Sequence, residues 1–367
     1  MPGWKPILVL PNLDMRGAVE SEHAAIAGPM DPRVQALFAK QSAFQDFLSR
    51  FRSQFSDEEI WPATLLLRDN APSSYFAASS VSGFRDLVAL AVVPYARSQR
   101  LIYSRPQALV FSNVFSFYPW MLDNRFEELV CFTPAMIGTH LLGEFGGQNS
   151  PEQPPATVMA SDIDGPLIRA LISEWIQRFS EGNDEWHKRA LFRSLNMANE
   201  AARMPAITSA TFYEFGRSLA IWVSAFEILV HPGGTGEANI YTVFDALNQV
   251  PWLSQSLATK TYPVGKKGTP RNLACKVYEA IYGLRNDFMH GNEVGSEDLV
   301  VGTDRRQLID YAACLYRLLL SGKLAIKFPP PPGGNDSTKL GKYISDRMEF
   351  NEYQKSCEKA LETFLSA

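Results

Sequence analysis

Along the second half of the chain, apolar residues recur at spacings of three and four, and this pattern predicts a succession of helices. PLIRALISEWIQRFS, Pro166 to Ser180, opens with proline at a first-turn position after Asp164 and Gly165. Asp184 to Met204 follows, then Thr211 to Val230, which stops at the breaker HPGGTG. Asn272 to Gly291 comes after a loop rich in Gly, Lys and Pro. Thr303 to Gly322 has Thr303 as candidate N-cap and Gly322 as candidate stop. Long periodic segments of this kind imply an α-helical bundle.

The first block, residues 1–145, has a different pattern. PILVLP and PATLLLRD are proline-bounded apolar runs that predict strands. Pro32 to Phe55 predicts one helix, with Val34, Leu37 and Phe38 followed by Phe44, Phe47, Leu48 and Phe51. RPQALVFSNVFSFYPW fits either a strand or loop-rich structure, and its aromatics fit a core better than a base-stacking platform. The expected fold class is therefore mainly α, with a helical C-terminal bundle preceded by a mixed α/β N-terminal domain. Gly146 to Pro166 reads as a linker, which puts the bundle at 167–328. Pro329 to Ser337 is a Pro-rich break, and the tail that runs to Ala367 has a helical C-terminus. There is no internal repeat.

Composition narrows the class. Over 367 residues, 46% are hydrophobic, 12% aromatic and 20% charged, so a large core can form and a mostly disordered chain is excluded. A net charge of −4 argues against a broad phosphate-binding surface, though a site for one or two phosphates remains compatible with it. Cys131, Cys275, Cys314 and Cys357 lie far apart, without the spacing of a zinc or redox motif. No signal peptide is visible, and the most apolar run, Leu87 to Ala96, is about half the ~20 residues that a membrane-spanning helix needs. The expectation is a soluble cytoplasmic protein with no membrane partner, no metal and no cofactor.

The segment with chemical potential is AIYGLRNDFMHGN, Ala280 to Asn292, at the end of a predicted helix. At ~100° per residue, Val277, Ile281, Leu284 and Phe288 fall on one buried stripe. Asn286 and His290 are four apart on a different face, Arg285 lies between that face and the stripe, and Gly291 permits the left-handed turn that ends the helix. Histidine moves a proton near neutral pH, and arginine offers a permanent planar charge that suits phosphate. A purely structural account also fits, because a helix C-terminus favours histidine.

Arg285, Asn286, three residues, His290 and Gly291, on a late helix of a bundle, resemble the HEPN superfamily and within it the Apea-like branch. SAFEILV, with Glu227 on an earlier helix, resembles a second element of that branch, and Tyr311 and Tyr316 lie on the closing helix. The resemblance covers roughly residues 165–325. It implies a HEPN-like bundle and a metal-independent endoribonuclease, in which the 2′-hydroxyl attacks the adjacent phosphate and leaves a cyclic phosphate. His290 would then be the general acid or base, Arg285 would hold the scissile phosphate, and Asn286 would orient His290 or the substrate. Glu227 would fix Arg285 across the bundle, or serve only as a structural helix residue. The family also implies a homodimer with a composite cleft, RNA as substrate, and a role in bacterial antiphage defence or a toxin-like stress system. Its degenerate members are inactive modules that bind RNA, a nucleotide or a partner protein.

Lys260, Lys266, Lys267 and Arg271 precede the motif helix and fit either an RNA-backbone contact or a solvated loop. HPGGTGE lacks the Lys-Ser/Thr of a phosphate loop and reads as a helix-ending turn. DIDG, Asp162 to Gly165, reads as linker and helix cap rather than a calcium loop. His23, His140 and His187 lack ligand spacing, and no nucleophile elbow is present.

Overall fold

Both predicted strands of the first block form, and they pair with each other. In a computed structural model, β1 (Trp4–Leu10) lies antiparallel to β6 (Ala63–Arg68). The structure describes residues 3–49, 51–52, 58–103, 109–117, 120–122, 128–132, 137–141, 148–149, 156–180, 185–203, 213–326, 331–334 and 336–365. These contain eleven α-helices, so the protein is mainly helical, with a small N-terminal sheet. The chain divides into two compact units: one drawn from residues within 1–88, 111–162 and 175–183, the other from 89–110, 163–174 and the chain from 184 on. The units thus interleave in sequence, whereas the sequence reading placed one linker between two contiguous blocks.

In the first unit, β2 (Leu13–Met15), β3 (Ala18–Glu20), β4 (Ala24–Ala27) and β5 (Phe51–Arg52) lie between β1 and β6 in sequence. The main sheet has the order β1-β6-β4-β3 and is antiparallel throughout. β6 is central and buried on both faces, which is why Leu65, Leu66 and Leu67 are consecutively apolar rather than alternating. Helices α1 (Pro32–Lys40) and α2 (Ser42–Leu48) share a core with the sheet, formed by Val9, Ala25, Leu66, Val34, Phe44 and Phe47 among others.

The single helix expected over 32–55 is therefore two short helices and a strand. Gln41, at φ −141° and ψ 85°, interrupts it. On one straight helix the second apolar group would be rotated from the first by roughly 80°, so the break lets both groups face the same core. Strands β7 (Trp120–Leu122), β8 (Glu128–Phe132) and β9 (Ile137–Leu141) form a separate antiparallel sheet. β10 (Gln148–Asn149) pairs with β5, and β11 (Ala156–Val158) with β2, so part of the expected linker is built into this unit. Residues 146–147 and 150–155 of that linker lie outside the described residues, as do 329–330 and 335 of the Pro-rich break.

The apolar run Leu87 to Ala96 belongs to α3 (Ala78–Tyr103), a helix the sequence reading did not assign. It is buried nearly all round, so it carries no helical stripe, and Pro94 lies inside it. α4 (Gly165–Phe179), α5 (Trp186–Ala201) and α6 (Tyr213–Val230) follow close to the predicted bounds. Then come α7 (Ile240–Leu247), α8 (Gln255–Thr259), the hairpin β12 (Tyr262–Val264) and β13 (Thr269–Arg271), and α9 (Leu273–His290).

β14 (Val300–Val301) and β15 (Arg306–Gln307) form another hairpin, after which α10 spans Leu308–Lys323. The expected cap Thr303 thus lies in a turn, and the expected stop Gly322 lies inside α10. The left-handed residue after the helix is Ala325, at φ 49°. The tail is mostly one helix, α11 (Ser337–Glu362), which starts well before the expected segment and buries Phe350, Tyr353, Cys357 and Leu361.

Within the second unit an aromatic chain crosses the helices. Phe226 of α6 lies 5.0 Å from Tyr278 of α9 and 5.5 Å from Tyr316 of α10, ring centre to ring centre. Tyr278 lies 6.0 Å from Phe244 of α7. A polar network accompanies it. Arg317 of α10 donates to Asp164 (2.8 Å) and to Gln354 of α11, and Gln354 donates to Glu358 (2.9 Å). Arg97 of α3 pairs with Asp310 of α10 (3.0 Å), and all of these residues are buried. Removing one partner leaves the other as an uncompensated buried charge. Arg317→Met is therefore expected to lower unfolding free energy by about 3–5 kcal/mol, read by urea denaturation.

Candidate active site

The motif depends on how α9 begins and ends. Asn272 caps its start, accepting from the Cys275 N–H (3.1 Å), while its own amide donates to the Leu247 carbonyl (2.8 Å). Gly291 ends it in the left-handed region, at φ 71° and ψ 24°. The Asn292 N–H then reaches back to the Asp287 carbonyl (2.9 Å). Val277, Ile281 and Leu284 are buried as the stripe predicted, and Phe288 is partly buried. Phe288 lies on Gly216 of α6: a Cβ added at Gly216 would be 2.6 Å from its ring. This close approach holds the last turn of α9 against α6.

Arg285 and Asn286 are brought together. The Arg285 Nη1 donates to Asn286 Oδ1 at 2.8 Å, and both residues are partly buried. The guanidinium carbon sits 5.8 Å from the centre of the Tyr282 ring, one turn earlier, and Nε is buried without a hydrogen-bond partner among the described residues. His290 follows on the next turn and is exposed. No hydrogen bond joins it to Arg285 or Asn286 among the described residues.

Glu227 is half-buried on the neighbouring α6. Burial raises its carboxyl above the ordinary value, and the positive charge of Arg285 pulls the other way without cancelling the rise. The two are electrostatic neighbours, with no ion pair within 4.0 Å among the described residues. Tyr278, fully buried, lies in the same field: burial first and Glu227 second push its hydroxyl well up, and that hydroxyl has no hydrogen-bond partner among the described residues. The sequence reading missed Tyr278 and Tyr282. Their signal was present as spacing, since Tyr282 precedes Arg285 by three and Tyr278 precedes Tyr282 by four.

The basic group does not join the motif. Lys266 and Lys267 are exposed at the turn of the β12–β13 hairpin, and Lys260 is exposed just before it. Arg271 is bound to Asp245 (2.8 Å). The hairpin is tied to the first half of α9, where the Gly265 N–H donates to Glu279 (2.6 Å). At ~1.5 Å rise per residue, Glu279 lies about 9 Å along the helix from Arg285 and about 16 Å from His290. Nearer the motif the charge is acidic: Asp287, Glu293 and Asp298 line a cavity of about 440 Å³ beside Gly283 and Leu284.

The remaining candidates take structural places. Asp164 of DIDG accepts from the Leu167 N–H (3.1 Å) at the start of α4 and from Arg317. In HPGGTGE, His231 Nδ1 accepts from the Gly233 N–H (2.9 Å), and Gly233 and Gly234 have positive φ, as a helix-ending turn requires. His23 lies 4.5 Å from the Tyr75 ring, His187 is exposed, and the side chain of His140 lies outside the described residues. Tyr316 lies in the core of the second unit, and Tyr311 shares a hydrogen bond with Thr363.

Among the described residues, no cluster of three or more His, Cys, Asp or Glu side chains is placed to hold a metal ion. No described helix is long and apolar enough to cross a membrane. No protein-family model, curated protein or solved structure matches the chain.

Two outcomes test this geometry. Gly216→Ala is expected to destabilise by about 1–3 kcal/mol, because the new methyl must displace Phe288 or α6; thermal unfolding reads it. Arg285→Ala removes the positive charge that favours the Glu227 carboxylate, so the Glu227 pKa is expected to rise further, as read by carboxyl ¹³C NMR titration. For a raised acid the folded state holds the proton more tightly. The Glu227 contribution to stability therefore falls as pH rises from its unfolded value through its folded one, and Arg285→Ala widens that window.

Proposed function

We propose that the protein is a metal-independent endoribonuclease of the HEPN type, acting in the cytoplasm in antiphage defence or a toxin-like stress response. The observation that carries this reading is the pairing of Arg285 with Asn286 one turn before an exposed His290, on a helix end that Gly291 stops. A guanidinium fixed by a neighbouring amide, close to a solvent-facing imidazole, suits an RNA phosphodiester. His290 takes the proton of the 2′-hydroxyl as that oxygen attacks the adjacent phosphorus. The bond to the 5′-oxygen breaks, that oxygen takes a proton, and a 2′,3′-cyclic phosphate is left. Arg285 neutralises the charge that builds on the phosphoryl oxygens, and the half-buried Glu227 biases its position from α6. A homodimer would bring a second His290 to protonate the leaving oxygen.

A second reading is favoured by the acidic residues Asp287, Glu293 and Asp298 near the motif and by the distance of Lys266 and Lys267 from it. On that reading the unit binds RNA, a nucleotide or a partner protein without cleaving.

Cleavage of a labelled mixed RNA in EDTA separates the two. Wild type is expected to leave cyclic-phosphate ends, with His290→Ala and Arg285→Ala each slower by about 10²-fold or more. Binding without cleavage, unchanged in both variants, would support the second reading. The double variant Lys266→Ala/Lys267→Ala is expected to leave cleavage of a dinucleotide unchanged while weakening binding of longer RNA, because the hairpin turn is tied to Glu279, about 9 Å along α9 from Arg285 and more than one base step away.

A further inference from the structure

We propose that the cavity walled by Phe38 and Trp61 in the first unit is a binding site for an uncharged nucleoside or free nucleobase. The inference is independent of the ribonuclease reading, because every residue it uses lies in the other unit.

The cavity measures about 710 Å³, within the ~300–1,000 Å³ typical of small-molecule sites. It opens beside β2, α1, α2 and the segment before β6. Phe38 and Trp61 both line it and are partly exposed, with ring centres 6.1 Å apart and planes at 58°, a tilted pair rather than a parallel stack. Phe38 is supported from behind by the buried Phe44, 5.6 Å away. Two aromatic faces held this way offer a flat ring a surface to lie on.

The polar lining specifies the rest. Gln35 donates its Nε2 to the Pro29 carbonyl (2.7 Å), which fixes the carboxamide, and the exposed Gln45 adds a second carboxamide. Carboxamides match the paired donors and acceptors of a base edge. A purely aliphatic occupant would cover the Gln35 Oε1 and the Gln45 carboxamide without giving them a partner.

Charge decides between a base and a nucleotide. Asp14 pairs with Arg16 (3.1 Å), and Glu59 pairs with Arg52 (3.3 Å). The lining holds two carboxylates, Asp14 and Glu59, against the one guanidinium of Arg16, so among the described residues it has no cation in excess to receive a phosphate.

The test uses the full-length protein with adenosine, guanosine, cytidine and uridine, followed by saturation-transfer NMR and calorimetry. At least one nucleoside is expected to bind, with its base protons more strongly saturated than its ribose protons. Its 5′-monophosphate is expected to bind roughly tenfold more weakly or worse, from the uncompensated charge. Phe38 and Trp61 also pack on the core, so the informative variant is Ala39→Trp, which fills the cavity from an exposed position on α1. It is expected to weaken binding roughly tenfold or more with an unchanged melting temperature. Failure of all four nucleosides to bind, wild-type affinity in Ala39→Trp, tighter binding of the monophosphate, or preference for indole over every nucleoside would each overturn the assignment.

Discussion

The second unit depends on its buried charges. Arg317 and Arg97 sit on different helices, each almost wholly out of water, and each must be neutralised where it stands. Arg317 meets that need by drawing in Asp164 from the turn before α4 and Gln354 from α11. Arg97 does so with Asp310, the Val110 carbonyl and the Ala202 carbonyl after α5. Glu358 then accepts the Leu253 and Ser254 N–H groups from the turn before α8. Each bond is satisfied only by one arrangement of the chain, so the network fixes which helix neighbours which, beyond what apolar packing alone selects. It also explains why α11 is part of this unit although a Pro-rich segment precedes it.

The motif helix inherits that order. Its place follows from the aromatic chain through Phe226, Tyr278 and Phe244, and from the fit of Phe288 on Gly216. These contacts bury one face of α9 and leave Arg285 and Asn286 partly buried and His290 exposed. The difference is chemically useful, since a partly desolvated guanidinium binds an anion more strongly than a fully hydrated one, while an exposed imidazole exchanges protons with water.

Helix α9 was legible almost residue by residue, because its stripe and glycine stop both act locally. What stayed hidden was non-local. α3 is buried nearly all round, and nothing in a uniformly apolar run distinguishes a core helix from a buried strand. The break at Gln41 is set by the core that both short helices must face. The cap of α10 moved four residues, from Thr303 to Gln307, because residues 302–305 form a hairpin turn, with Arg305 at φ 53°. At the site, the side-chain types were visible in the sequence, but the attachment of the lysine-bearing turn to the first half of α9 was not. Gly265 meets Glu279 because the hairpin folds back along the helix, a contact that no local pattern encodes.

That attachment bears on scale. The hairpin turn at Glu279 and the Arg285 guanidinium are about 9 Å apart along α9. A strand stacked at ~3.4 Å per nucleotide covers that rise in about three steps. For any nucleic acid that engages this unit, α9 therefore works as a short ruler: a dinucleotide meets one mark alone, and longer strands meet both.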